Sequence, residues 1–290
     1  MESSTYDKLC YEVYALLDAR LERRDEDSKR FATKGTAKEI LHREILLRFF
    51  RSLDLSRVYG SNPRDINIDE DTLISRVSER ELHDFLAILL FSSCRIEAAR
   101  TFAIQLLAKD TWPANLCVLP ANRDSLAALF GDEVTPSMFI KEQACFCPVV
   151  IRKGKAVPVQ KTGRQRFPFL EESKLGSGAF GTVYKVKIAK GHFYDPQFKS
   201  VNEEPVELAR KDYIINSELG KMPKNEPDHE IMKKILSSDR SCENIVEAFG
   251  ALAFGPTSYS LFMPLALFDL QDYMMEYYRE PPKPSRKRLI

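Results

Sequence analysis

Apolar residues recur at helical spacing through the first half of the chain. From Thr5 onward, Leu9, Val13, Leu16 and Leu17 mark one helix face, and Ser4 with Asp7 gives a capping pattern at its start. A second amphipathic run places Leu41, Ile45 and Phe49 on one stripe. In SERELHDFLAILLF, Ser78 and Glu81 form an S-x-x-E box ahead of the apolar run Phe85 to Phe91, which predicts a capped, buried helix. A further helix is predicted from about Ile96 to Leu107, and Asn122 is placed to cap the helix entering SLAALF.

Near Cys145 the texture changes. CFCPVVI alternates and is rich in β-branched residues, and RKGKAVPVQKTGRQR then carries Arg152, Lys153, Lys155, Lys161, Arg164 and Arg166 with no acid. As chemistry, such a patch suits nuclear import or phosphate contact. As architecture it is a solvated linker or an edge hairpin, and the architectural reading is preferred. Lys283, Arg286, Lys287 and Arg288 near the proline-rich C-terminus are read the same way.

Composition narrows the classes. With 290 residues, 44% hydrophobic and 29% charged, the chain has enough apolar material for one sizeable core or two modest ones. Its 43 basic and 42 acidic residues leave a net charge of +1, so no global field draws in nucleic acid or an anionic membrane. The apolar run Phe85 to Phe91 is far short of the roughly 20 residues that cross a bilayer. Residues 1–24 show no secretory signal, and Glu2 excludes an N-myristoyl glycine. An intracellular location, cytoplasmic or nuclear, is expected. Cys10, Cys94, Cys117, Cys145, Cys147 and Cys242 include no C-x-x-C pair, so thiols are expected and a metal site is not.

The most informative stretch is LGSGAFGTVYKV, Leu175 to Val186, in which Gly176, Gly178 and Gly181 make G-x-G-x-x-G. That spacing alone is shared with dinucleotide-binding domains, which need a helix after the third glycine. Here Thr182, Val183, Tyr184, Val186 and Ile188 form a β-rich run instead, so a strand, loop, strand hairpin is predicted. Glycines at such a tip let backbone N–H groups approach phosphates, and Val183 would cover a base.

These residues resemble the small, nucleotide-binding lobe of eukaryotic-like protein kinases, over about Phe167 to Arg279. The resemblance implies an ATP site formed by Leu175, Gly176, Ser177, Gly178, Ala179, Phe180, Gly181 and Val183. In ELARK it implies a third strand with Ala209 over the adenine and Lys211 on the α and β phosphates. GHFYDPQFKSVNEEP reads as an insertion between the second and third strands. Met263 would stand behind the adenine, followed by a hinge of Pro264, Leu265 and Ala266, in which Ala266 supplies a backbone donor and Pro264 lacks only one.

The family pairs its lysine with a carboxylate on the next helix. In PDHEIMKKIL, Ile231, Met232, Ile235 and Leu236 define the buried stripe at helical spacing; Asp228 lies near its centre and Glu230 roughly opposite. Asp228 is therefore favoured, though one methylene shorter than the family's glutamate, and Glu230 is read as a surface partner of Lys234.

The expected fold is α+β: an all-helical region over 1–145 with no assigned role, a basic linker or edge hairpin over 146–168, and over 169–290 a partial kinase domain. That domain comprises an antiparallel five-stranded sheet, one helix, the hinge and a following helix, with the large lobe absent. No H-R-D loop and no D-F-G motif follow Met263, so a general base and protein ligands for magnesium are missing. The resemblance thus implies a serine/threonine kinase lineage that binds ATP and meets a protein substrate or partner, while this chain alone is expected not to transfer phosphate. The alternatives are a truncated pseudokinase and a helical interaction protein without nucleotide dependence. An isolated small lobe is further expected to expose apolar surface and self-associate.

Overall fold

A computed structural model describes residues 4–24, 27–55, 69–107, 117–159, 165–178, 181–214, 247–255, 258–267 and 274–275. Over these residues the protein is α+β. Eight helices precede the main sheets: α1 (Thr5–Arg20), α2 (Thr36–Ile40), α3 (Arg43–Ser52), α4 (Glu70–Glu79), α5 (His83–Phe91), α6 (Ile96–Leu107), α7 (Arg123–Phe130) and α8 (Val134–Gln143).

The helical core forms around α5. After His83 and Asp84 its sequence FLAILLF is apolar on every side, and all residues from Phe85 to Phe91 are buried. A helix of that kind is stable only at the centre of a bundle. Phe85 packs against Phe102 of α6 and Phe139 of α8, with Phe130 of α7 at the edge of the cluster. Each such ring contributes roughly 1.5–3 kcal/mol on burial. Helix α1 starts as its sequence predicts: the Ser4 hydroxyl accepts from the Asp7 N–H, and Asp7 returns the bond to the Ser4 N–H. Its buried stripe is Tyr6, Leu9, Cys10, Val13 and Leu17, whereas Leu16 is turned outward. Leu41, Ile45 and Phe49 are all buried, but Leu41 lies in the turn between α2 and α3. Asn122 caps α7 by accepting from the Ser125 N–H.

Two local expectations are corrected. Ser78 and Glu81 do not cap α5. Ser78 lies in the last turn of α4, and Glu81, at φ +53°, follows it in the left-handed region. The Leu82 N–H reaches back to the Val77 carbonyl, closing a helix C-terminus where the motif promised an N-terminus. The N-terminal region is also not all-helical. Strands β1 (Glu22–Arg24) and β2 (Asp27–Phe31) form an antiparallel hairpin, anchored by buried Phe31 and by the Ala32 N–H bonded to the Cys145 carbonyl.

Among the described residues the C-terminal half contributes nine further strands: β3 (Ile151–Arg152), β4 (Ala156–Pro158), β5 (Phe169–Gly178), β6 (Gly181–Ile188), β7 (Phe193–Asp195), β8 (Ser200–Val201), β9 (Val206–Ile214), β10 (Gly250–Ala253) and β11 (Ser258–Pro264). The main sheet is not five-stranded and wholly antiparallel. It has six strands in the order β4-β10-β11-β9-β6-β5, and β4 runs parallel to β10. The extra strand comes from the basic stretch 146–168: the Val159 N–H bonds Ala253 and the Ala251 N–H bonds Lys155, covering an edge that would otherwise be open. The apparent insertion folds into β7 and β8, which with β3 make a second, three-stranded sheet. The helix that would carry Asp228 and Glu230 lies outside the described residues, and of the helix after the hinge only residues 274–275, which are helical, are described.

His192 joins the helical and sheet regions. It is 2% exposed, its Nε2 accepts from the Lys34 N–H, and the edge of Phe31 meets its ring. Burial, reinforced by the nearby Lys34 charge, holds its pKa down to about 4, against 6.5 in water. Between those values the unfolded chain binds a proton that the folded chain refuses. Stability from this group is complete above pH 6.5 and is lost as the pH falls to 4, on the order of 3 kcal/mol in all. Urea unfolding followed by circular dichroism should show the wild type losing its advantage over His192→Gln across that window; a difference independent of pH would contradict a buried neutral ring.

Candidate functional site

Strands β5 and β6 pair antiparallel, with Gly178 opposite Gly181 at the turn. The three glycines have different jobs. A Cβ at Gly176 or Gly178 would meet nothing within 4 Å, so the backbone there borders open space. Gly181 has φ +138°, and a Cβ there would overlap the Asp212 carbonyl oxygen of β9. It is glycine so that the hairpin can lie down on the neighbouring strand. The Ser177 and Thr182 hydroxyls, 2.9 Å apart, tie the two arms together. Leu175 is exposed beside the first glycine, and Ala179 and Phe180 lie outside the described residues.

The register across the sheet assembles the site. Gly176 is opposite Val183, Val183 opposite Lys211, and Lys211 opposite Leu261. The next row on the same face is Lys185, Ala209 and Met263. Directly paired residues, and residues two apart on a strand, share a face. Val183, Ala209, Lys211 and Met263 therefore lie together on the face that carries Gly176. Ala209 is buried, while Val183, Lys211 and Met263 are half-buried. Pro264 closes β11 opposite Leu208, and Ala266, two residues on, is exposed.

Charge on this face is unevenly distributed. Lys185 pairs with Glu207 at 3.0 Å and Lys187 with Glu171 at 2.8 Å. The Lys187 bond raises the lysine's pKa and lowers that of Glu171. Lys211, by contrast, has no carboxylate within 4.0 Å among the described residues; its ammonium rests 4.9 Å from the centre of the Tyr213 ring. Asp212, next to it in sequence, points to the other face and is held by Arg210 and Ser260. Small apolar side chains beside one ammonium, under a glycine edge with room for ligand atoms, suit a flat base attached to phosphates. Among the described residues no group of three His, Cys, Asp or Glu side chains could hold a metal ion, and no helix is long and apolar enough to cross a membrane.

A site on the opposite face is not anticipated by the motif reading. Arg210 is 9% exposed and bonds Glu172 and Asp212. Period-two alternation in VELARKD supplies the missed signal, because it puts Arg210 on the same side as Val206 and Leu208. No protein-family model matches the sequence, and no curated protein is similar enough to it to count as a relative.

Gly181→Ala should lower the melting temperature by about 5 °C, through a disfavoured φ and collision with backbone that has nowhere to go. Gly176→Ala should shift it by no more than about 1 °C. Equal effects in differential scanning fluorimetry would contradict the separate roles assigned to the two glycines.

Proposed function

We propose that this chain is a protein-kinase-like, nucleotide-binding module that holds ATP between its glycine hairpin and the face formed by Val183, Ala209, Lys211 and Met263. The observation that carries the reading is the cross-strand register. It brings Gly176, Val183 and Lys211 into one row and Ala209 with Met263 into the next. The five strands assigned by resemblance are also five adjacent members of one sheet. In this reading Val183, Ala209 and Met263 take the adenine, backbone amides along Gly176 to Gly181 approach the phosphates, and Lys211 neutralises them. The backbone at Ala266 meets the base edge. Asp228 is the proposed partner of Lys211.

The same reading separates binding from catalysis. Phosphoryl transfer depends on metal ions that neutralise developing charge and on a group that orients the nucleophile. Neither an H-R-D loop nor a D-F-G motif occurs in the residues after Met263. The module is therefore a serine/threonine-kinase-like lobe that binds nucleotide and does not by itself phosphorylate a protein substrate.

Calorimetric titration of the full chain with ATP should give saturable binding, and Lys211→Met should weaken it by about tenfold or more, the effect of removing one charge-assisted contact. Incubation with radiolabelled ATP and a generic protein substrate should transfer no label. Saturable ATP binding unaffected by Lys211→Met would overturn the site, and label transfer abolished by that variant would overturn the inactivity.

A further inference from the structure

The face of the main sheet opposite Lys211 carries a cavity of about 410 Å³, large enough for a small organic ligand. One side is aromatic and aliphatic, built from Phe167, Phe169, Phe254 and Leu252. The Phe167 ring stacks on Phe169 and meets Phe254 edge-on, each at 5.7 Å between centres. The other side is polar, with Glu172, Arg210, Asp212, Ser258 and Ser260 at the cavity surface beside Tyr213.

The polar side is organised by a buried cation. The Arg210 guanidinium lies over the rings of Tyr184 and Phe169, 4.6 and 5.1 Å from their centres. One terminal nitrogen donates to Glu172 at 2.9 Å; the other donates to Asp212 at 2.8 Å and to the second Glu172 oxygen at 3.5 Å. Its Nε is buried and without a hydrogen-bond partner. The Ser260 hydroxyl donates its proton to Asp212 at 2.6 Å. The guanidinium and the Ser260 hydroxyl thus direct their described hydrogen bonds into the protein. The acceptors at the cavity surface include the remaining Asp212 lone pairs and the Ser258 and Ser260 oxygens.

We infer that this cavity is a binding site for a small aromatic amine, a ring carrying a protonated amino group. The ring fills the space against Phe167, Phe254 and Leu252, and the ammonium donates to Asp212 and the two serine oxygens. Complementarity sets the class. The charged groups at the cavity are one guanidinium, Arg210, and two carboxylates, Glu172 and Asp212; the excess negative charge favours an ammonium over a carboxylate, and an ammonium also meets aromatic faces. Because Arg210 and Asp212 alternate along β9 with Lys211 on the opposite face, a ligand here does not compete for space with one under the glycine hairpin, and the inference stands apart from the nucleotide reading.

Ligand-observed NMR on the full chain, with 2-phenylethylamine and 3-phenylpropionate as probes, tests it. The amine should bind with a Kd of about 1 mM or below, and the carboxylate at least about tenfold more weakly. Asp212→Asn should weaken the amine by about tenfold. Ser258→Trp, at a lining position that takes no part in the Arg210, Glu172, Asp212 and Ser260 hydrogen bonds, should abolish binding while the circular dichroism spectrum is unchanged. Absence of amine binding, equal binding of the two probes, or amine binding that survives Ser258→Trp would each overturn the site.

Discussion

The arrangement rests on the hydrogen-bond register between β6 and β9. Side chains on a strand alternate between faces, so a slip of one residue would turn Lys211 to the side now held by Arg210 and expose Leu208. Two constraints pin the register. The apolar residues Val186, Ile188, Leu208 and Phe262 share one core and leave it only at the cost of their burial. Gly181, lying against the Asp212 carbonyl, accepts that close approach where another residue would not. Position of the ammonium is thus decided by packing on the far side of the sheet.

The two faces of β9 solve different electrostatic problems. On one, Lys211 is half-buried over an aromatic ring and close to open space, where an anion can reach it. On the other, Arg210 is enclosed, and burying a charge is tolerable only with partners. Glu172, Asp212 and two aromatic rings supply them. Guanidinium suits this role, since its planar fork stacks on aromatic rings while bonding two carboxylates. Adjacent cations in sequence therefore carry opposite assignments, one structural and one available.

Features encoded within a few residues were the most legible in the sequence. The Ser4 and Asn122 caps, the all-round apolar α5 and the glycine hairpin each follow from neighbours in the chain, and the structure contains all of them. The S-x-x-E box at Ser78 misled because the same spacing fits the end of one helix and the start of the next; which wins depends on how α4 and α5 pack. The β4 edge strand was hidden because its partner β10 lies almost a hundred residues away, and a basic stretch carries no sign of what it will pair with. The hairpin β1–β2 was likewise disguised by charge. Of the candidate site, the alternation in ELARK and the glycine spacing were readable; the Arg210 network was not, since its hydrogen bonds join three strands.

The central claim, that Lys211 is the amine presented to a triphosphate beneath the hairpin, is tested most directly by covalent capture. An ATP analogue acylated on its terminal phosphate delivers the acyl group to an amine held beside it, forming an amide as the nucleotide departs. Peptide mapping should find Lys211 acylated ahead of Lys185 and Lys187, with excess ATP suppressing the modification. Acylation spread evenly over these lysines and indifferent to ATP would contradict the account.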